Sequence, residues 1–340
     1  MSPGPARRSV SVAAVSMALL ILTAAVARAQ AFVPAQGEGA VSVLFQDALV
    51  KYHYLPTTPV DRGHVHSDSM LVDVTYGVTD RIAVSVGIPW VAAKYTGTTP
   101  HPLVDSSGPI PVLYGVNPID DGSYHQTFQD FRFDVRYNLT KRGLVLTPFV
   151  GSILPSHDYT YFAHAAPGRN LKELQLGVSA AKLLDSLVPG LFVQGRYSYG
   201  FTEQILDISH NRSNFELELG YFLTPRLRLL SLNTAQITHG GIDLPLNTRV
   251  DLGPLLFSHH DQIDRVNTLN LGGGAAYSVT DKIDVFGSVL HTVAERNGHA
   301  IDYGLTLGLG WSFSTPRAKN RAIASAEHSL IRCLCEKGTK

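Results

Sequence analysis

The chain has 340 residues, with 28 basic and 28 acidic side chains, so its formal charge at neutral pH is zero. This balance argues against nucleic acid as a partner, and the charged fraction of 16% lies below the ~25% usual for soluble domains. Both cysteines, Cys333 and Cys335, lie near the C-terminus, which excludes a disulfide or a thiolate metal site from the rest of the chain.

The N-terminus has the pattern of an export signal. Arg7 and Arg8 precede an apolar stretch over about 10–26, and a small-x-small cleavage site ends at Ala29. A membrane anchor is the alternative, but alanine and serine dilute the stretch. We predict a signal peptide over 1–29. No run of eighteen apolar residues follows, so insertion into a membrane would have to use strands.

Beyond the signal peptide, runs that alternate apolar and polar residues predict twelve strands. Alternation of period two puts one face of each strand toward an apolar phase. The first and ninth runs are the least regular, and a β-bulge in either would account for this. The predicted strands are 40–53, 68–77, 82–90, 127–139, 144–154, 172–184, 191–203, 214–223, 227–237, 266–279, 283–292 and 300–313.

A short aromatic signature recurs at the end of every second predicted strand. An aromatic ring, one more apolar residue and a tight polar turn are typical of the membrane interface of a barrel. The copies begin at Tyr76, Tyr137, Tyr221 and Tyr277, with a degenerate copy at Trp311. The strands of a soluble β-sandwich also alternate apolar and polar residues. That fold does not, however, require an aromatic residue at a fixed position before every second turn.

Connection lengths alternate in the same way. The turns after the even-numbered strands are short, whereas the largest connections span roughly 91–126 and 238–265. Short periplasmic turns and long extracellular loops are the outer-membrane pattern. We therefore predict an all-β fold over 30–313, a closed antiparallel transmembrane β-barrel in a bacterial outer membrane, rather than a soluble sandwich or a lipocalin-like barrel. The basic tail 314–340 is predicted to be periplasmic.

Two segments carry a resemblance to a known family. They are YGVTDRIAVSVGIPW over 76–90 and FVGSILPSHDY over 149–159. In them, and over most of 37–313, the chain resembles predicted bacterial outer-membrane transporters grouped with the proteins of the phenol meta-cleavage degradation pathway. The resemblance implies a twelve-strand barrel for passive transport of small solutes, including aromatic or hydrophobic compounds. It supplies no catalytic or binding residue.

Several partners and alternatives follow from this interpretation. The lipid bilayer, lipopolysaccharide, a small-molecule solute and the barrel-assembly machinery are the expected partners, and we expect no cofactor. A structural or adhesive barrel without transport is one alternative. A surface lipid hydrolase is another, because Ser209, His210 and Ser213 lie close together in sequence. No nucleophile motif surrounds them, so we do not expect an enzyme.

The inward face of the strands supplies candidates for a pore lining. Two interpretations stay open: Arg132, Arg136 and Arg196 could face the acidic groups across the pore as a selectivity ladder, or the same groups could fill the interior as salt bridges. The pore-lining candidates are Asp130, Arg132, Asp134, Arg136, Gln194, Arg196, Glu216, Glu218 and Asp302.

Histidine is distributed unevenly. Of 14 histidines, all except His328 fall in or beside segments predicted to be extracellular. Clustered imidazoles bind Zn²⁺ or Cu²⁺, but the sequence shows no recognised ligand spacing. We therefore predict ordinary polar loop residues and assign no metal ligand.

Overall fold

The computed structural model describes residues 31–140, 143–316 and 318. Twelve long antiparallel strands form a barrel, which closes where the first strand pairs with the last along almost its whole length. The predicted signal peptide 1–29, Cys333 and Cys335 lie outside the described residues, and of the predicted tail only 314–316 and 318 are described.

The strands follow one another around the barrel in chain order, and the short elements belong to the extracellular side. Helical turns occur at Pro118–Asp120, Thr248–Asp251, Gly253–Phe257 and His260–Ile263. The strands are β1 Glu38–Tyr54, β2 Pro59–Val60, β3 His64–Gly77, β4 Ile82–Thr96, β5 Leu103–Asp105, β6 Val112–Tyr114, β7 His125–Phe128, β8 Asp130–Tyr137, β9 Val145–Pro155, β10 Glu173–Leu183, β11 Leu191–Thr202, β12 His210–Phe222, β13 Leu227–Gly240, β14 Asn267–Ser278, β15 Ile283–Arg296 and β16 Gly298–Ser314.

The twelve-strand order is confirmed, and several strands extend farther toward the extracellular side than predicted. The predicted strand 127–139 is divided at Gln129 into β7 and β8. The predicted strand 82–90 is part of β4, which continues to Thr96, and the predicted strand 283–292 is part of β15, which continues to Arg296. In this upper part His64 of β3 still pairs with Thr96 of β4. Above the membrane, backbone pairing continues, but the lipid no longer requires an apolar outer face. The alternation of apolar and polar residues therefore ends before the strand does.

The outer face is apolar and the inner face is polar. On β8, Val135 is 53% exposed, whereas its neighbour Arg136 is fully buried. The outward residues of β16, from Tyr303 to Trp311, are likewise exposed. Because closure leaves no unpaired edge, such a barrel satisfies its backbone groups inside a bilayer. The five aromatic residues Tyr76, Tyr137, Tyr221, Tyr277 and Trp311 are all exposed near the periplasmic strand ends.

Threonine explains the recurring form of the aromatic signature. In the turn after β3, the Oγ1 atom of Thr79 accepts hydrogen bonds from the backbone N–H groups of Arg81 and Ile82. Thr224 and Thr280 accept the same pair of bonds in the turns after β12 and β14. The hydroxyl thus replaces backbone partners that a tight turn cannot supply.

The irregularity expected in the first strand is a β-bulge. The register between β1 and β16 shifts between Leu49 and Val50 and again between Val50 and Tyr52. Below the bulge, Phe45 is exposed on the outer face; above it, Tyr52 is exposed and His53 is buried. The bulge therefore turns His53 toward the barrel interior.

Both ends of the lumen are partly covered. At the periplasmic end, Ala31 is fully buried against Val145 and Ala181, and its carbonyl accepts a hydrogen bond from Thr147. At the extracellular end, loops 97–124, 156–172 and 241–266 fold over the mouth, where their side chains contact one another.

Within the part of the chain that the structure describes, no helix is long and apolar enough to cross a membrane.

Candidate permeation pathway and loop cluster

Three of the predicted pore-lining residues form one ionic group on the inner wall. Asp134 contacts Arg136 at 3.0 Å and Arg196 at 3.9 Å. Arg136 is fully buried and also donates hydrogen bonds to the hydroxyls of Thr75 and Ser85. These side chains link β3, β4, β8 and β11, so they cross-link the wall from inside.

An aromatic ring holds Arg196 in this group. The guanidinium carbon of Arg196 lies 3.6 Å from the ring centroid of Phe149, a cation–π distance. The ring of Phe149 occupies the space that a Cβ atom on Gly177 of β10 would need. Glycine at this position therefore gives the aromatic ring its place against the wall.

Two more predicted residues belong to neighbouring polar groups. Gln194 and Glu218 are directly opposite each other on β11 and β12, and both are buried. Arg228 is close to them in the barrel and contacts Asp284 at 3.7 Å. Glu216 lies opposite Arg196 on the same pair of strands. Opposite charges are thus paired laterally along the wall.

The remaining candidates on β8 lie nearer the extracellular side. Asp130 accepts a hydrogen bond from the hydroxyl of Tyr159, which belongs to loop 156–172. Arg132 is exposed although its position alternates with the outward Phe133. Its neighbour on β4 is Gly87, and Asp73 of β3 lies on the same inner face. Arg132 therefore has room on the inner face that the fully buried Arg136 lacks.

Asp302 departs from the predicted pore lining. It lies at the β1–β16 bulge and pairs with Lys51 at 2.9 Å, with both side chains at least a third exposed. Ile301 pairs with Val50 and Tyr303 with Leu49, so residue 302 is the extra residue of its strand. Alternation, from which the prediction was made, does not apply at such a residue, and we leave Asp302 out of the lumen set.

The residues considered for lipid hydrolysis are only partly brought together. His210 is fully buried, and its Nδ1 atom contacts the carbonyl of Ile208. Ser213 instead bonds to His239 of the next strand, with 2.8 Å between Oγ and Nε2. In the described part of the chain, no carboxylate or amide hydrogen-bonds to the other ring nitrogen of His239, so this pair lacks the third group of a catalytic triad.

A cluster of histidines lies at the extracellular mouth, and it was not predicted from the sequence. His53 of β1 and His299 of β16 lie opposite each other, with ring centroids 4.1 Å apart. His164 and His101 come from loops 156–172 and 97–124, and their ring centroids are also 4.1 Å apart. His260 of loop 241–266 stacks on His101. Both end strands and all three loops contribute, so no sequence spacing reveals the cluster.

One buried carboxylate organises the loops of this cluster. Asp120 accepts hydrogen bonds from the backbone N–H groups of His101, His164 and Ala165, at 2.9, 3.2 and 3.0 Å. Burial alone would raise the pKa of Asp120, but these bonds and the nearby His101 ring hold it below its usual value. The charged carboxylate therefore joins loops 97–124 and 156–172.

Comparison with known proteins supports the fold. No protein-family model and no curated protein sequence match the chain. Among solved structures, an outer membrane channel from Pseudomonas putida F1 is similar, with a TM-score of 0.62 and 15% sequence identity. The similarity covers 85% of this chain and 100% of that channel.

Other solved structures match with TM-scores below 0.5. The NanC porin matches with a TM-score of 0.44 and 10% identity over 80% of this chain and 98% of its own. The CymD monoaromatic hydrocarbon channel matches with a TM-score of 0.40 and 10% identity over 82% and 90%. The closed barrel with its apolar outer face is the architecture of proteins of the bacterial outer membrane.

Proposed function

We propose that this chain is an outer-membrane channel for passive transport of small solutes. The observation that carries the proposal is the exposed side chain of Arg132 on the inner face, beside a glycine and above a layer of paired charges. A charged group that stays solvated on the inner wall can attract a polar or anionic solute.

The two interpretations of the lumen charges apply to different residues. Asp134, Arg136 and Arg196 form one ionic group, and we assign them to wall stability. Asp130 accepts a hydrogen bond from a loop tyrosine, whereas Gln194, Glu216 and Glu218 have close neighbours in the wall. We propose that these groups shape the passage. Arg132 is the residue on which we base selectivity.

The solute class rests on the sequence resemblance. The family of predicted transporters grouped with phenol meta-cleavage proteins suggests aromatic or hydrophobic compounds, and we propose these as the first solutes to test. We further propose contact with lipopolysaccharide in the outer leaflet and insertion by the barrel-assembly machinery, as for other barrels of this membrane. The proposal includes no catalytic activity.

Planar-bilayer conductance of refolded protein tests the channel. We expect discrete openings that change when candidate aromatic or anionic solutes are added. Arg132→Ala should fold, as judged by heat-modifiable gel migration, and should shift the ion selectivity toward cations. Val135→Leu is the matched control, because it alters a nearby outward residue of the same strand and should leave selectivity unchanged.

The same preparation separates the alternatives. A folded barrel without openings would favour the structural or adhesive role over transport. If the openings occur but Arg132→Ala has wild-type selectivity and solute uptake in liposome swelling, the charges serve to fill the wall.

One observation favours a second candidate function, lipid hydrolysis. Ser213 and His239 are hydrogen-bonded on the outer face near the extracellular end of β12 and β13. A serine bonded to a histidine is the minimum for nucleophilic catalysis. Release of fatty acid from added phospholipid that disappears in Ser213→Ala would establish this activity beside or instead of transport.

A further inference from the structure

Three histidines of the extracellular cluster place nitrogen atoms around one point. His53 and His299 are opposite each other where the first and last strands of the barrel meet, and His164 reaches them from loop 156–172. One ligand atom from each lies within 4.8 Å of the other two. The rings come from three separate parts of the chain, which is how a metal ion cross-links a fold.

The hydrogen bonds of His164 leave a lone pair directed into this group. Its Nε2 atom lies 3.0 Å from the carbonyl oxygen of Thr99. A carbonyl only accepts, so Nε2 carries the proton and Nδ1 of the neutral ring carries the lone pair. Metal-bound histidines are usually oriented in this way, by a second nitrogen that donates to a carbonyl or carboxylate.

The spacing also fits a metal ion. Nδ1 of His164 and Nε2 of His53 are 3.2 Å apart. Two nitrogens on one tetrahedral Zn²⁺, each at 2.0–2.1 Å, are separated by about 3.3 Å. A hydrogen bond has a similar length. The other nitrogen of His53, Nδ1, is buried and has no hydrogen-bond partner among the described residues, so protein groups do not fully satisfy this ring. Such orphaned groups are uncommon and often mark a ligand site.

The site is held in place and has access to solvent. Tyr95 stacks on His164 with ring centroids 4.3 Å apart, and Asp120 fixes the backbone of the loop. His299 is exposed, which provides a path for the ion and a position for a water ligand.

We propose that His53, His164 and His299 bind one divalent transition-metal ion, Zn²⁺ in the first instance, at the extracellular mouth of the barrel. Imidazole nitrogens suit Zn²⁺, Cu²⁺ and Ni²⁺ and discriminate against Mg²⁺ and Ca²⁺. The bound ion ties loop 156–172 to the seam between β1 and β16, and so fixes the loop over the mouth.

Metal content and affinity test the assignment. The folded full-length barrel, first treated with a chelator and then dialysed against Zn²⁺, should bind one ion per chain. His53→Gln and His164→Gln should each weaken binding tenfold or more. His157→Gln is the matched control: it lies in the same loop, bonds to Thr127 and Ser156, and should bind as wild type does.

Two further measurements distinguish this site from the neighbouring imidazoles and from nonspecific binding. Asp261→Asn probes the adjacent set His101, His260 and Asp261; if it abolishes binding while His53→Gln does not, the assignment is overturned. Zinc-edge X-ray absorption of the wild-type protein needs no variant to fold and should show imidazole nitrogens at 2.0–2.1 Å. An oxygen-only shell, or no bound zinc, would overturn the proposal.

Discussion

The guanidinium of Arg196 packs on the ring of Phe149, and the same arginine reaches Asp134 on a strand that is not its neighbour in the sheet. The aromatic ring thus directs a flexible charged side chain around the curved inner wall. A long side chain loses conformational entropy when an ion pair fixes it. Packing on the ring already restricts the Arg196 side chain, so forming the ion pair costs less additional entropy.

We expect Phe149→Leu to destabilise the barrel, because the guanidinium loses the ring face and Gly177 loses its cover. The loss should be about 1–2 kcal/mol from the cation–π contact, with a further contribution from the lost volume. The midpoint of urea unfolding in detergent measures it. Val150→Leu alters the outward neighbour and should be nearly neutral; equal midpoints for both variants would contradict the role of the ring.

A charge on the lipid-facing side should oppose assembly. Val135 is exposed on the outer surface of β8, so Val135→Arg should cost roughly 2–4 kcal/mol if the position is near mid-membrane. The folded fraction after refolding into liposomes, followed by heat-modifiable migration, reports the effect. Val135→Leu should refold like wild type, and efficient refolding of Val135→Arg would argue that β8 does not face lipid there.

The turn threonines should matter through their hydroxyl groups. Thr79→Ala removes the acceptor for two backbone N–H groups, and each such bond is worth about 1 kcal/mol. Thr79→Ser keeps the acceptor and should restore most of the stability. Unfolding midpoints of the two variants decide the matter; identical losses would point to the methyl group of Thr79 instead.

The packing of loop 241–266 should weaken as pH rises. Asp264 is buried 3.3 Å from Arg169, and its burial, opposed by Arg169 and reinforced by Asp261, raises its pKa to about 7. Arg212 also faces it and favours its charge. Because the folded pKa exceeds the unfolded value of about 3.9, this contribution is fully present below pH 4 and declines as pH rises through 7.

Amide exchange of the loop, corrected for its intrinsic pH dependence, should therefore show more opening at pH 8 than at pH 5. Asp264→Asn stays neutral and should remove the difference. Equal protection of the loop at pH 5 and pH 8 would contradict the prediction. If Asp264→Asn keeps the wild-type difference in protection, a group other than Asp264 is responsible for it.

Zinc should protect loop 156–172 from protease if the three-histidine site forms. We expect trypsin to cut after Arg169 only when the loop opens, and an ion at 100 times its Kd should slow opening-limited cleavage about a hundredfold. A chelator should reverse the protection. In His164→Gln the cleavage rate should not respond to zinc, whereas His157→Gln should behave as wild type.

The barrel could be predicted from sequence because lipid and lumen impose opposite demands on alternate residues. This is clearest on β8, where Val135 and Arg136 differ completely in exposure. Thr79, Thr224 and Thr280 each follow a signature tyrosine by three residues in the sequence, but their hydrogen bonds depend on turn geometry. The pairing of Arg196 with Asp134 was not predictable, since it depends on the curvature of the wall.

The histidine cluster could not be predicted for a different reason. His53 and His299 become neighbours only because the barrel closes, and His164 joins them only because its loop folds inward. Antiparallel pairing of the first and last predicted strands is the one inference from the sequence that would bring His53 close to His299. Nothing in the spacing indicates the third.

The bulge in β1 reverses the parity of the strand. Below the bulge, odd-numbered residues such as Phe45 are exposed on the outer face. Above Val50, the even-numbered Tyr52 is exposed on that face instead. Deleting one residue at the bulge would still allow every backbone pair to form. It would, however, turn the inward side chains of the last residues of β1 outward and the outward ones inward. Substitution tolerance in this segment should therefore follow the opposite rule from that in the rest of β1, and a one-residue length change should be more damaging than any single replacement.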